Sequence, residues 1–426
     1  MKFSIITFGC KVNAYESTFM KEQLLKNNFI YCEDFKESDI VIVNTCSVTN
    51  TADNKCKKMI RSIRRFNDKC VLVVCGCTAE NQREKLNDLN IDILIGNHDK
   101  SKVGALINDF LKTKKKYIKF YDDRNLPFEK MCVESFAEQT RAYVKIQDGC
   151  NNFCAYCIIP FTRGNIRSKK MEEVVDEVKD LVEKGHKEIV LTGINTGAYG
   201  RENGLYDLTD LIRELSLINN LERIRVSSIE ITEINDKFIK ELEINNKLCG
   251  HLHVSLQSGS DSVLKAMNRK YTKDEYYNKI LKIRKARPNI NLTTDVIVGF
   301  PGETEEDFLE GVLFCQKVGF SKIHVFPYSK REGTKAATME NQLPNEVKKE
   351  RARRLIEIDN KLQLDFNKHF IGQNVKVLIE ENKNGVSIGH TENFLKVEIA
   401  ALLKENTNYD VKIVDANVDF VKGELL

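Results

Sequence analysis

Two series of short β-branched runs, separated by amphipathic stretches, constrain this chain more than any other feature. In the first series, residues 4–8, 39–43, 70–74 and 92–95 are apolar on both sides of the strand pattern, as suits a parallel sheet buried on both faces. Residues 16–27 and 54–66 between them are amphipathic. This predicts a small doubly wound α/β domain over residues 1–111. The second series supplies six strands, at 143–146, 188–191, 223–226, 253–256, 291–298 and 322–326. Six βα units predict a complete or partial parallel barrel over residues 140–368, with its functional residues at the carboxyl ends of the strands. Residues 112–139 read as a linker, and the lysine run at 112–116 as a solvated turn. A charged helical stretch from 344 to about 369 ends the central domain. Residues 369–426 hold short alternating runs at 374–379, 386–388, 395–399 and 409–414 with Gly and Asn turns. They predict a small antiparallel barrel, an architecture that binds oligonucleotides.

Composition sets outer bounds. A chain of 426 residues, 42% hydrophobic, can bury several cores, and its mean hydropathy of −0.37 fits a soluble protein. The first residues are too few and too polar for a signal sequence, and no apolar run approaches a membrane span, so a cytoplasmic protein without a membrane partner is expected. Thirteen cysteines, an odd count in a large chain without secretory features, predict reduced thiols rather than a disulfide framework. A net charge of +4 permits a nucleic-acid partner without demanding one.

Cys150, Cys154 and Cys157 follow the first strand of the second series with the spacing C-x3-C-x2-C. Three thiolates are one short of a closed tetrahedral site. A four-iron, four-sulfur cluster held this way keeps one iron open to the amino and carboxylate groups of a small molecule. A structural zinc site would need a fourth Cys or His, and the nearest, Cys132 and His186, fit no common zinc spacing. The triplet, with aromatic Tyr156 before its last cysteine, resembles the signature of radical S-adenosylmethionine enzymes. That resemblance implies reductive cleavage of S-adenosylmethionine to a 5′-deoxyadenosyl radical, with Cys150, Cys154 and Cys157 as the catalytic cluster ligands. It further implies Tyr156 beside the adenine, Thr192 and Gly193 toward the methionine amino end, and Ser255 and Gln257 facing the ribose or carboxylate. Asp295 and Gly299 would form another cofactor wall. Taken singly these are weaker: a glycine after a strand is ordinarily a turn, and Gln257 serves equally to satisfy backbone groups.

Cys10, Cys46 and Cys77 each follow a strand of the first series, and parallel strands aim their carboxyl ends at one edge. The three can therefore converge. Cys75 lies two residues before Cys77, points the same way on strand alternation and stands as an alternative ligand, although the Gly76-Cys77-x-Ala-Glu context favours Cys77. Cys32, Cys56, Cys70, Cys132, Cys249 and Cys315 read as structural. With the triplet, these motifs resemble the methylthiotransferase family over essentially the whole chain, including a C-terminal TRAM-type RNA-binding barrel. The family implies two four-iron, four-sulfur clusters, an auxiliary one on Cys10, Cys46 and Cys77 and a radical one on Cys150, Cys154 and Cys157, together with S-adenosylmethionine.

Residues 10–17 and 147–160 are similar to the subgroup acting on threonylcarbamoyladenosine beside the tRNA anticodon; the isopentenyladenosine subgroup has Gln-Met in place of Lys11-Val12. The implied reaction replaces the adenine C2–H by C2–SCH3. The implied partners are the anticodon stem-loop, a low-potential electron donor such as a flavodoxin or ferredoxin, and a sulfur source. The same chemistry on isopentenyladenosine or on a ribosomal-protein aspartate is the first alternative, and an RNA-binding protein with structural metal sites the second. Lys376, Lys383, His390, Lys396 and Lys404 are candidate phosphate contacts. Arg163, Arg167 and Lys169 are expected to face the anticodon stem or the cofactor.

Overall fold

The computed structural model describes residues 1–47, 50–134, 136 and 140–426, with only the backbone of Asn50; the expected domain edge at 139 falls outside the described residues. The first domain is a six-stranded parallel sheet. Its order is Ile30–Tyr31, Lys2–Thr7, Ile40–Thr45, Val71–Gly76, Ile93–Ile95 and Tyr117–Lys119. The two central strands are buried along their entire length, which is why their sequences show no alternation. One apolar layer gathers Phe3, Leu24, Ile42 and Ile107, the other Val41, Ile60, Leu72 and Leu94. Tyr117–Lys119 lies inside the stretch read as linker, so the sheet reaches beyond residue 111. A three-residue edge strand next to a lysine run leaves no periodic trace.

The second domain is an open half-barrel. Its six parallel strands are Arg141–Lys145, Glu188–Thr192, Arg223–Val226, His251–His253, Asn291–Val298 and Lys322–Pro327, in chain order across two three-stranded halves. The halves meet through single bridges at Ile224–Leu248 and Ile229–Val254. The fourth strand sits earlier and is shorter than expected. Gln257, directly after the anticipated run, has φ +68°, a left-handed conformation, and meets the next strand only through a single bridge to Val296. The charged helix, Asn345–Lys368, packs on the last strand: Asp359 accepts from the Ile323 amide at 2.6 Å and from Lys322 Nζ at 2.7 Å.

The C-terminal domain is a closed barrel of Asn374–Lys383, Val386–His390, Lys396–Ile399, Asn408–Ala416 and Val421–Leu425 around Val377, Ile379, Val397 and Val411. Four strands were expected. The fifth, Val421–Leu425, closes the barrel by pairing antiparallel with Asn408–Ala416 and parallel with Lys396–Ile399. The barrel docks on the amino ends of the half-barrel strands, where Arg141 pairs with Glu380 at 2.7 Å and Arg223 donates to the His390 carbonyl at 3.0 Å. No described helix is long and apolar enough to cross a membrane.

Candidate functional site: two cysteine trios across a domain junction

The loop carrying Cys150, Cys154 and Cys157 is clipped at its base by a short antiparallel ribbon of Gln147–Asp148 with Arg167–Ser168. Gly149 has φ +73°, and a Cβ there would collide with the Asn165 carbonyl, so only glycine fits. The Cys150 amide donates to the Gly164 carbonyl at 3.1 Å and the Ala155 amide to the Met267 carbonyl at 2.9 Å. The three thiols remain partly exposed at this junction. Burial pushes the Cys150 thiol up to about 11 and the Cys157 thiol up to about 12, so loading iron must displace their protons. Arg269 reaches Cys154 Sγ at 3.3 Å and the Tyr156 hydroxyl at 3.5 Å and is anchored by Glu230.

The second trio forms at the carboxyl ends of three adjacent parallel strands. Gly9 lies so close to Cys46 that a Cβ would overlap its Sγ. Asn13 ties the strand ends together, donating to the Phe8 carbonyl at 2.7 Å and the Thr45 carbonyl at 2.9 Å. Cys10 precedes the first helix, Lys11–Lys26, and Cys77 opens the short helix Cys77–Asn81. Arg163, from the other domain, places Nε 3.4 Å from Cys77 Sγ.

Arg163 belongs to a buried ion network. It contacts Glu16 at 3.0 Å and Asp148 at 3.1 Å. Lys145 and Lys100 also pair with Glu16, while Lys145 and Arg167 pair with Asp148. All six side chains are at least nine-tenths buried. Burial alone would raise the Glu16 carboxyl, yet Arg163, Lys100 and Lys145 hold it far below the usual range. Within this bonded network two carboxylates face four cations, leaving two positive charges in a buried place where unpaired charge is costly. The neighbouring acidic groups are the carboxyl of Glu129, within electrostatic reach of Lys145, and the thiols of Cys77 and Cys10, within reach of Arg163. A thiolate-bound iron–sulfur cluster supplies the missing negative charge, so the donor set fits one. Arg331 lies near both trios: buried, it donates to Ser47 Oγ at 3.1 Å, has Asp53 at 3.9 Å as its nearest charge, and is within electrostatic reach of Cys157, Cys46 and Cys77.

Among the described residues, no three His, Cys, Asp or Glu side chains close around a single metal ion. A cluster, unlike a single ion, gives each thiolate its own iron. His186 Nε2 already accepts the Phe136 amide, and none of the thirteen cysteines is disulfide-bonded. Cys75 and Cys77 do not point the same way. The turn at Gly76, φ +100°, ends the strand alternation and leaves Cys75 in the apolar layer with Phe3 and Ile42, its thiol pushed up to about 12 by burial. Cys77→Ser is expected to remove about four of roughly eight iron atoms from anaerobically prepared protein, and Cys75→Ser none; iron and sulfide analysis of both variants checks this.

Beside the triplet is a cavity of about 190 Å³ lined by Tyr156, Gln257, Asp295, Phe326, Tyr328 and Arg331, among others. Arg331 Nη2 makes no hydrogen bond there and has Asp53 at 3.9 Å as its ion-pair partner, which leaves it able to accept a polar ligand. The other anticipated cofactor residues do not line it. The Thr192 carbonyl accepts the Ile146 amide. Gly193 lets the chain pass Gln147, whose Oε1 would be 2.9 Å from a Cβ and which accepts the Asn195 amide at 2.7 Å. The side-chain amide of Asn195 is buried with neither atom partnered, a more direct candidate for ligand recognition than the strand-end backbone. The Ser255 carbonyl accepts from Tyr271 at 3.0 Å. Gly299 packs against Lys348 of the C-terminal helix, away from the cavity.

Two further expectations are narrowed. Arg163, Arg167 and Lys169 are all buried, the first two in the ion network and Lys169 on Glu177, and of the two roles expected of them Arg163 lies on the cofactor side, against Cys77. Of the five candidate phosphate contacts, Lys376, Lys383 and Lys404 are exposed, but His390 is held by Glu380 at 2.9 Å and lines a second cavity with Lys396. Sequence reasoning missed Glu16, Lys100, Arg269 and Arg331, whose partners lie 84 to 284 residues away or in loops without a period.

Comparison with known proteins agrees with this geometry. Residues 144–315 match the radical SAM superfamily and residues 2–96 the uncharacterized protein family UPF0004. The threonylcarbamoyladenosine tRNA methylthiotransferase MtaB of Bacillus subtilis is 41% identical, covering 92% of this chain and 88% of its own. Its namesake from Thermotoga maritima is 38% identical over 99% and 98%. The tRNA-2-methylthio-N(6)-dimethylallyladenosine synthase of Acetivibrio thermocellus is 38% identical over 89% and 80%. Among solved structures, the radical S-adenosylmethionine methyltransferase TsrM from Kitasatospora setae shares the fold, with TM-score 0.57 and 14% identity over 79% of this chain and 74% of that one. With two facing cysteine trios and relatives matched along nearly its whole length, the chain belongs to the radical S-adenosylmethionine methylthiotransferase family.

Proposed function

We propose that this enzyme adds a methylthio group to C2 of N6-threonylcarbamoyladenosine beside the anticodon of tRNA, in the cytoplasm, drawing electrons from a flavodoxin- or ferredoxin-type donor and sulfur from an external source. Its cofactors are S-adenosylmethionine and two four-iron, four-sulfur clusters. Cys150, Cys154 and Cys157 would hold the cluster that supplies radical chemistry, and Cys10, Cys46 and Cys77 the one that carries sulfur. An aromatic C–H offers no proton to a side-chain base, which is why radical initiation suits the reaction. The residues around the trios bind and orient. Tyr156, Gln257 and Asp295 line the pocket beside the triplet, Arg269 steadies Cys154 and Tyr156, and the buried cations near Cys10 and Cys77 balance an anionic cluster. The C-terminal barrel, with Lys376, Lys383 and Lys404 exposed, is assigned to the RNA backbone.

The observation that carries the substrate assignment is the 41% identity, over 92% of the chain, to a relative named for threonylcarbamoyladenosine, joined by Lys11-Val12 in the first cysteine motif. Relatives named for dimethylallyladenosine are only three points lower, so isopentenyladenosine is the competing target. Nucleoside analysis of tRNA from a deletion strain separates the two. Loss of 2-methylthio-threonylcarbamoyladenosine with other methylthio nucleosides retained is the expected result; its persistence would overturn the assignment.

A further inference from the structure

A larger cavity, about 550 Å³, lies inside the half-barrel toward the amino ends of its strands, and Asp295 and Phe326 line both it and the smaller cavity beside the triplet. Asn291, Thr293 and Asp295 project into it from alternate positions of one strand, and Ile297, next in that row, lines the smaller cavity. The two therefore adjoin along this strand, the smaller one lined by Tyr156 of the triplet loop. Three features mark the larger one as a built site. Its wall is mixed, with polar groups set among Phe326, Phe366, Phe394 and Leu395: beyond the three residues of that row, His251, His253 and His324 come from neighbouring strands. His251 is buried and its Nδ1 has no partner, while its Nε2 lies 3.2 Å from Thr293 Oγ1. Finally, the small barrel closes one wall with Phe394, whose ring is stacked between His251 and His390 at 4.9 and 4.6 Å and is covered by Arg225 and Arg141.

Into this cavity reaches Lys11, the residue directly after Cys10. Among the described residues it makes no ion pair, and its charged neighbours include two further cations, Arg141 and Arg225, against Glu188. Glu188 is already bound to Arg225 at 2.7 Å. Lys11 is thus a partly solvated cation without its own ion pair, at the mouth of this cavity, one residue from the proposed sulfur-carrying cluster. The chemistry of the substrate matches that placement. In adenine, C2 and the N6 substituent flank the same edge of the ring, so a base presenting C2 to the Cys10 site carries its N6 arm alongside Lys11. A threonylcarbamoyl arm ends in a carboxylate and a hydroxyl and contains a urea. An isopentenyl arm is wholly apolar and would displace water from His, Asn and Thr side chains without replacing their hydrogen bonds.

We propose that the 550 Å³ cavity is the specificity pocket for the N6 arm, with Lys11 holding its carboxylate and the His251–Asn291–Thr293 wall its urea and hydroxyl. This rests on the threonylcarbamoyladenosine reading and names the residues that enforce it. The test measures binding of cluster-loaded protein to anticodon stem-loops that differ only at the target base: threonylcarbamoyladenosine, its neutral methyl ester, isopentenyladenosine or adenosine. The unmodified enzyme is expected to favour the acid over the ester by about tenfold, as one charge-assisted contact predicts. Lys11→Met should bring that ratio to about one while adenosine binding shifts by less than about twofold, and Lys11→Arg should keep most of it. Asn291→Leu, remote from both cysteine trios, should weaken the acid and the ester alike by about fivefold; it keeps the proposal testable if Lys11→Met loses iron. An unchanged acid-to-ester ratio in Lys11→Met, or unchanged affinity in Asn291→Leu, would overturn the pocket while leaving the substrate reading intact. Preference of the unmodified enzyme for the isopentenyl loop would instead overturn the substrate reading itself.

Discussion

Cys154→Ala is expected to bring reductive 5′-deoxyadenosine formation down to the level of a protein-free control, while iron falls by about half. The reasoning is local. Cys154 is one of only three thiols on its loop, and the loop cannot re-form around another donor. Gly149 is locked by the Asn165 carbonyl, Ala155 is tied to Met267, and Tyr156 is fixed beside Arg269. No other Cys or His stands among the residues lining the neighbouring cavity. Because the second trio sits in a separate domain, its iron should survive, and the residual chromophore separates loss of one cluster from loss of the fold. Anaerobic assay with dithionite and S-adenosylmethionine, with iron counted in the same sample, provides the check; undiminished 5′-deoxyadenosine would refute the role given to this loop.

Glu16→Gln should destabilise the junction between the first two domains by about 3–5 kcal/mol, the range for removing one member of a buried ion pair and stranding its partners. Glu16 is fully buried and is the shared acceptor of Lys100, Lys145 and Arg163. Without it the surplus of buried positive charge grows by one, and Asp148 alone must answer four cations. The sign with pH follows from the direction of its shift. Its carboxyl is held below its unfolded value, so its contribution is fully present above the unfolded pKa of about 4.3 and is lost only as the pH falls through the lower folded value. Urea midpoints of the two proteins should therefore differ by the same amount at pH 7 and pH 5.5. A Glu16→Gln protein as stable as the unaltered one would show that the network is not what joins the domains.

Much of the chemistry was legible before any coordinates. The triplet needs only eight consecutive residues, so its spacing survives translation into structure unchanged. The strands of the two α/β segments were visible because buried parallel strands are continuously apolar. Elements without that support went unseen: Tyr117–Lys119 and Val421–Leu425 are strands only because neighbouring strands leave edges for them. The direction of Cys75 was misjudged because strand alternation was carried through Gly76, where a positive φ ends it. Arg163, Arg167 and Lys169 were legible as cations close behind the triplet, but sequence does not show the carboxylates, here Glu16, Asp148 and Glu177, that pair with them in the interior.

The sequence by itself determined which atoms can do chemistry: two sets of three cysteines, each placed after strands that must run parallel, and a chain length sufficient for three domains. Only the tertiary structure decided how they work together. It brought Arg331 within electrostatic reach of cysteines from both trios, filled the junction with a network whose excess positive charge suits anionic clusters, and set Lys11 at the wall of a cavity inside the half-barrel. Those outcomes depend on contacts between residues more than a hundred positions apart, such as Arg163 with Glu16 and Arg331 with Ser47. Periodicity and spacing report a residue's local surroundings, whereas charge compensation in a buried junction is settled by whichever distant groups the fold brings within about 3 Å.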